Sequence, residues 1–203
     1  MSTAPTGPTA SATRPASGVR YRVGQFLQGF LAQVTAAERT LAAELLPPDA
    51  RALFDHMPVD AQRHSLNVLY AVQIAGFHDS DLAVAALLHD VGKIHHTEAG
   101  GHTEAGGQPA RLGLWWRGPL VVLEAVAPRL LTRWAVDDAT RGWRFLLYLH
   151  LHHPTLGAAA ARAAGCSEIT CRLIAHHQDM HLRIGSPRFL ELLRVLQWAD
   201  SRN

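Results

Sequence analysis

The sequence predicts an all-α protein, a compact multi-helix bundle, and three observations lead there. Apolar residues recur at helical spacing from Tyr21 onward, as in Leu82, Ala85, Ala86 and then His89. No segment alternates apolar and polar residues over the length of a strand. Between the apolar stripes fall the residues that start and stop helices: Thr, Asp and Ser caps, Pro breaks and single glycines. Stripes of this kind are buried by packing helix on helix.

Taken in order, residues 1–19, MSTAPTGPTASATRPASGV, hold almost no large apolar side chain and are expected to be disordered. Residues 20–203 are expected to form a single helical domain. Phe26, Phe30 and Val34 open the first stripe, and Thr35 with Glu38 forms a capping box for a second helix. Pro47-Pro48-Asp49 leads into a short helix over ARALFDHM, and after Pro58 a long helix runs to about Ala75, with Asp60 as its cap and Gly76 as its stop. Asp79 or Ser80 caps the next, from Asp81 to Asp90. Residues 91–111 read as a Gly-rich loop, and residues 112–136 as two short helices interrupted by Gly118-Pro119 and Pro128. A helix near 141–151, another from Pro154 to Ala164, one capped by Ser167 and a last one from Pro187 complete the chain.

Composition limits what such a bundle can do. A hydrophobic fraction of 48% and a charged fraction of 18% are those of an ordinary globular protein. The net charge of +2 is too small to argue for nucleic acid or an acidic membrane surface. Cys166 and Cys171 sit five residues apart on one helix and are expected to stay reduced. With neither a secretory signal nor about 18 uninterrupted apolar residues, the expected location is cytoplasmic. The unusual feature is histidine, thirteen in all, nine of them gathered around positions 95–102, 150–153 and 176–181.

Four helices carry an ionisable residue on the apolar stripe. One stripe reads His64, Val68, Ala71, Val72, Ala75; another reads Leu82, Ala85, Ala86, His89. A third reads Ile169, Leu173, His176, His177, and the last reads Phe189, Leu193, Leu196, Asp200. Neutral imidazoles and carboxylates meeting in a core are explained by a divalent metal, because a buried carboxylate is rarely left unpaired. Asp90, next to His89, is placed to share an ion with it or to bridge a pair of ions, and Lys93 to set an ammonium beside them. A His-rich donor set favours Fe, Mn, Co or Ni over Mg or Ca.

His64, then AALLHDVGK around His89-Asp90, then Asp200 in LLRVLQWADSRN, resembles the HD superfamily of metal-dependent phosphohydrolases over roughly residues 61–203. The resemblance implies an HD-type bundle in which His64, His89, Asp90 and Asp200 hold one ion. HHPTLGA and IAHHQD resemble segments of the two-metal branch, and imply that His153, His176 and His177 hold a second ion with Asp90. The implied reaction is hydrolysis of a phosphoester or phosphoanhydride by a metal-activated hydroxide, with Asp90 bridging and Lys93 on the phosphate oxygens. Arg63 is a second candidate phosphate contact. A layout similar to that of diadenosine tetraphosphate hydrolases makes a nucleotide the expected substrate class.

The chain also departs from its relatives. Gln178 follows the His-His pair where cyclic-dinucleotide phosphodiesterases have Glu, and their Gly-Tyr-Pro motif is missing. Asn203 stands where many relatives carry an acid, and residues 94–140 look like an insertion. Asp60 occupies the place of an acidic ligand in trinuclear relatives, although a cap is its expected role. Two alternatives stay open: a di-iron oxygenase on the same fold, and a ligand sensor without turnover. The repeat HTEAGG-HTEAGG reads as slippage in a tolerant loop or as a flap over the site. Trp115-Trp116 reads as part of a packed lid or as an amphipathic segment on a membrane. His150 and His152 are left out of the ligand set; His56, His78 and His181 are expected at the surface or in local hydrogen bonds, and Trp198 in the core.

Overall fold

A computed structural model describes residues 33–93 and 128–203. Among these residues all regular structure is helical and no strand occurs, so the all-α class holds. The expected tail, the HTEAGG repeat, Phe26, Phe30 and the Trp115-Trp116 segment lie outside the described residues, as does most of the expected insertion.

The helices begin where the caps require. Helix α1, Ala36–Leu45, starts at the Thr35–Glu38 capping box, both halves of which are formed. Helix α2, Pro48–Asp55, has Pro in its first turn, where no helical N–H is needed. Helix α3, Val59–Ile74, starts after Pro58, so Asp60 is not its cap; it sits one position inside the first turn, facing the positive end of the helix. Gly76 ends α3 in the left-handed conformation (φ 86°), which costs glycine little.

Helix α4, Ser80–Leu88, is capped by Asp79 and followed by a 3₁₀ turn, Val91–Lys93. Every residue from Leu82 to Leu88 is buried, as befits a helix that is apolar all round. It packs against α3 and against α7, Glu168–His176, which Ser167 caps. Helix α8, Pro187–Arg202, is capped by Ser186 and lies against α3 and α7. Helix α5, Pro128–Trp134, begins at Pro128 and makes a small separate core, Leu131 against Leu147.

The two helices expected on either side of Pro154 are one. Helix α6, Trp143–Ala163, runs 21 residues straight through that proline and packs on α7 and on the 3₁₀ turn. Trp198 is not in the core either: it is 42% exposed on the outer face of α8, beneath the Arg202 guanidinium. Both cysteines are free thiols. Among the described residues no helix is long and apolar enough to cross a membrane.

Candidate metal centre

The ends of three helices, the middle of a fourth and the first half of a fifth bring histidine and aspartate together. His64 comes from the first half of α3, His89 and Asp90 from the end of α4, His153 from the middle of α6, His177 from the end of α7, and Asp200 from the last turn of α8. His89, His153 and His177 have fully buried side chains, and Asp90 is nearly buried. His64 and Asp200 are partly open to solvent.

Among the described residues two groups capable of holding a metal ion result, His64–His89–Asp90 and Asp90–His153–His177, and they share Asp90. In the first, the Nε2 atoms of His64 and His89 are 3.2 Å apart, and Asp200 Oδ1 lies 3.0 Å from His64 and 3.5 Å from His89. In the second, the Nε2 atoms of His153 and His177 are 3.3 Å apart, and Asp90 Oδ1 lies 3.5 and 3.9 Å from them. Metal–ligand bonds of about 2.0–2.2 Å put neighbouring donors about 3.0–3.5 Å apart around one ion, close to what is found here.

The tautomers favour a cation, most directly in the second group. A carbonyl only accepts, so Nδ1–H must be the donor in His89 to Ala86 O (3.0 Å), His153 to His150 O (2.7 Å) and His177 to Ile174 O (2.8 Å). With Nδ1 protonated, a neutral ring turns the Nε2 lone pair toward the cluster. Burial pushes His153 down to about 3, with the Lys93 ammonium adding to the effect, and burial with the neighbouring His89 pushes His177 down to about 4. Near neutral pH both rings are therefore uncharged, and two lone pairs face each other with no proton between them. A divalent ion resolves that conflict.

Carboxylates dominate the other side. Burial opposes charge on His89, but Asp90 and Asp200 outweigh it and hold the imidazole above its usual range. Burial likewise works against the Asp90 anion, yet Lys93 first, then His89 and His153, keep it ionised well below the usual carboxylate range. Asp200 is held down in the same way against its own burial, by hydrogen bonds with His64 and His89. Lys93 Nζ donates to Asp90 Oδ2 at 2.7 Å, so one carboxylate oxygen meets the ammonium while Oδ1 faces the histidines.

Backbone packing makes this convergence possible. Gly92, in the 3₁₀ turn, lies so close to α6 that a Cβ there would stand 2.1 Å from His153 O and 2.5 Å from Gly157 N. Only glycine permits that approach, and it sets Asp90 beside His153. Gln197, one turn before Asp200, donates to His176 O and Asp179 O and so ties the turn after His177 to α8.

Two expected residues stand elsewhere. His176 is not part of either group: its side chain is 37% exposed, 3.9 Å from Asp179, with its ring edge-on to Phe189. The Arg63 guanidinium donates to Glu38 Oε1, which also accepts from Tyr70. The His152 ring lies tilted against Tyr148, outside the cluster, and Asn203 Nδ2 donates to Ala199 O at the end of α8. Gly92, Gly157 and Gln197 were not singled out from the sequence; two glycines beside ligand motifs were the available signal for the first pair. No family model matches the chain, and no curated protein or solved structure matches it.

Proposed function

We propose that this chain is a metal-dependent phosphohydrolase of the HD type, cleaving a phosphoester or phosphoanhydride of a nucleotide. One observation carries the reading: a single aspartate, Asp90, belongs to both His/Asp groups, the arrangement a pair of closely spaced ions requires. His64, His89, Asp200 and Asp90 would hold one divalent transition-metal ion, and Asp90, His153 and His177 the other. When bound, such a pair makes water acidic enough to attack near neutral pH and neutralises charge on phosphoryl oxygens.

The chain's own residues do the rest. The buried imidazoles are held in one tautomer by backbone carbonyls, so their donor atoms need no reorientation. Lys93 keeps Asp90 ionised and carries a fixed charge at the partly open edge of the cluster, where an anionic substrate gains from it. His64 and Asp200 keep the first group partly open to solvent.

Purified protein reconstituted with Mn or Fe is the test. The expected result is about two ions per chain, release of product from a chromogenic phosphodiester, and then turnover within a nucleotide panel that includes dinucleoside polyphosphates. Oxygen uptake with reduced iron and no phosphoester cleavage would replace hydrolysis with the oxygenase reading. A protein that takes up no metal would end both.

A further inference from the structure

Each of the three fully buried imidazoles donates Nδ1–H to the carbonyl three residues earlier. For His89 and His177 that carbonyl lies in the last turn of α4 or α7, where C=O groups meet no helical amide. His153 has no such opening, because it stands near the middle of the 21-residue α6. There the carbonyl of residue 150 is the usual acceptor for the amide of residue 154. Residue 154 is proline, buried, with no N–H to give, and the helix continues past it to Ala163.

We propose that Pro154 is a positioning residue for His153: lacking an amide hydrogen, it leaves the His150 carbonyl to the imidazole and fixes which ring nitrogen faces the cluster. The proposal rests on the metal reading above for its consequence, though not for its geometry. A helix interior normally rejects proline, which removes a hydrogen bond and crowds the preceding turn. Here the missing hydrogen bond is used by the ring next door, at 2.7 Å, the shortest of the three contacts of this kind. Proline at 154 thus gives His153, in mid-helix, what a helix end gives His89 and His177.

The experiment compares the wild type with Pro154→Ala and with a chain carrying lactic acid in place of Pro154. Alanine returns the N–H; lactic acid forms an ester that has neither N–H nor pyrrolidine ring. Ring ¹⁵N spectra of the metal-free protein report the His153 tautomer, and metal titration reports the second ion. Pro154→Ala is expected to shift His153 from pure Nδ1–H toward a mixture and to weaken the second ion about tenfold, as loss of an outer hydrogen bond typically does. The carbonyl can accept twice, so the effect is partial. Its helix should be no less stable than the wild type. The ester chain should recover both the tautomer and the metal. If Pro154→Ala keeps His153 wholly Nδ1–H and binds the second ion as the wild type does, the proposal falls. If alanine and ester fail alike, the proline ring matters and the missing hydrogen does not, which also overturns it. A wild type that binds no metal removes the metal reading alone, since the tautomer is still measured.

Discussion

The two halves of the histidine–aspartate cluster use the same side-chain types and differ in what surrounds them. His153 and His177 are 0% exposed, while His64 and Asp200 are 26% and 29% exposed. In the inner half, burial decides, and both imidazoles are kept neutral. In the outer half, carboxylates decide, and His89 holds a proton more tightly than a free imidazole although it too is fully buried. Identical ligand types are thus tuned in opposite directions within one site, by desolvation on one side and by charge on the other. Among the described residues Asp90 alone belongs to both.

Removing the shared residue should therefore have the largest effect. Asp90→Asn keeps the shape and removes the charge, and metal analysis is expected to fall from about two ions per chain to none. His177→Gln and His64→Gln should each lose one ion, the inner and the outer respectively. Equal loss from all three variants would mean that the halves are not separate sites.

The next effect comes from the backbone contact that joins the halves. Gly92→Ala would drive a methyl group into the His153 carbonyl and the Gly157 amide, neither of which is a flexible side-chain end. A destabilisation of about 3 kcal/mol is expected, at the upper end for overpacking, read from urea unfolding of the metal-free protein. The inner ion should be lost before the outer one, because the collision moves His153 relative to Asp90. Unchanged stability would show that the turn has room to move.

How much of this was legible in the sequence depended on which force set each face. The stripe of α4 was plain, because a helix buried from Leu82 to Leu88 leaves no choice of side, and His89-Asp90 follows at its end. In the stripe of α7, Leu173 and His177 face inward as expected, whereas Ile169 and His176 do not. Ile169 is 45% exposed, whereas Thr170 is buried because its hydroxyl bonds to Asp81 Oδ1 and the Asp81 carbonyl. That polar anchor turns the helix so that Thr170, Leu173, Ile174 and His177 face inward and His176 faces out. Hydrophobicity ranks Ile above Thr and has no way to see a partner 89 residues away. The Arg63–Glu38 pair, 25 residues apart, was hidden for the same reason. Pro154 looks like a break in the sequence because proline removes one helical hydrogen bond; a helix packed along α7 and the 3₁₀ turn tolerates that loss.

Acidity offers a way to separate the halves without mutation, in the metal-free protein under chelation. His153 and His177 have folded values of about 3 and about 4, below the ordinary 6.5, so from pH 6.5 downward the unfolded chain binds protons that the folded chain refuses. Their contribution to stability falls as pH drops through that window, with a total loss on the order of a few kcal/mol. His89 has the opposite sign: its folded value is raised, so its contribution is full below 6.5 and is lost as pH rises through the folded value. Asp90 and Asp200, with lowered values, contribute above the ordinary carboxylate range and lose that contribution only in stronger acid. Urea midpoints between pH 4 and 6.5 should therefore report the inner half, and His153→Gln should flatten that limb while leaving the alkaline one. A limb that His153→Gln leaves unchanged would place the acid sensitivity outside the inner half.

The smallest effect is expected just beside the open half, at Arg63. It precedes His64 on α3, so a role on phosphate would make it part of the entrance. Its guanidinium is instead committed to Glu38, whose carboxyl it holds down to about 2 against the pull of burial, with Thr35 assisting. Both side chains keep some contact with water, 26% and 15%, so the pair is worth about 1 kcal/mol at most. Arg63→Ala should lower the stability read from urea unfolding by that amount, loosen α1 against α3, and leave both ions in place. In a hydrolase assay, KM should stay within about twofold of the wild type, since uniform binding of a phosphate by arginine would otherwise appear there. A tenfold rise in KM with unchanged stability would return Arg63 to the substrate and extend the open half of the site by one residue.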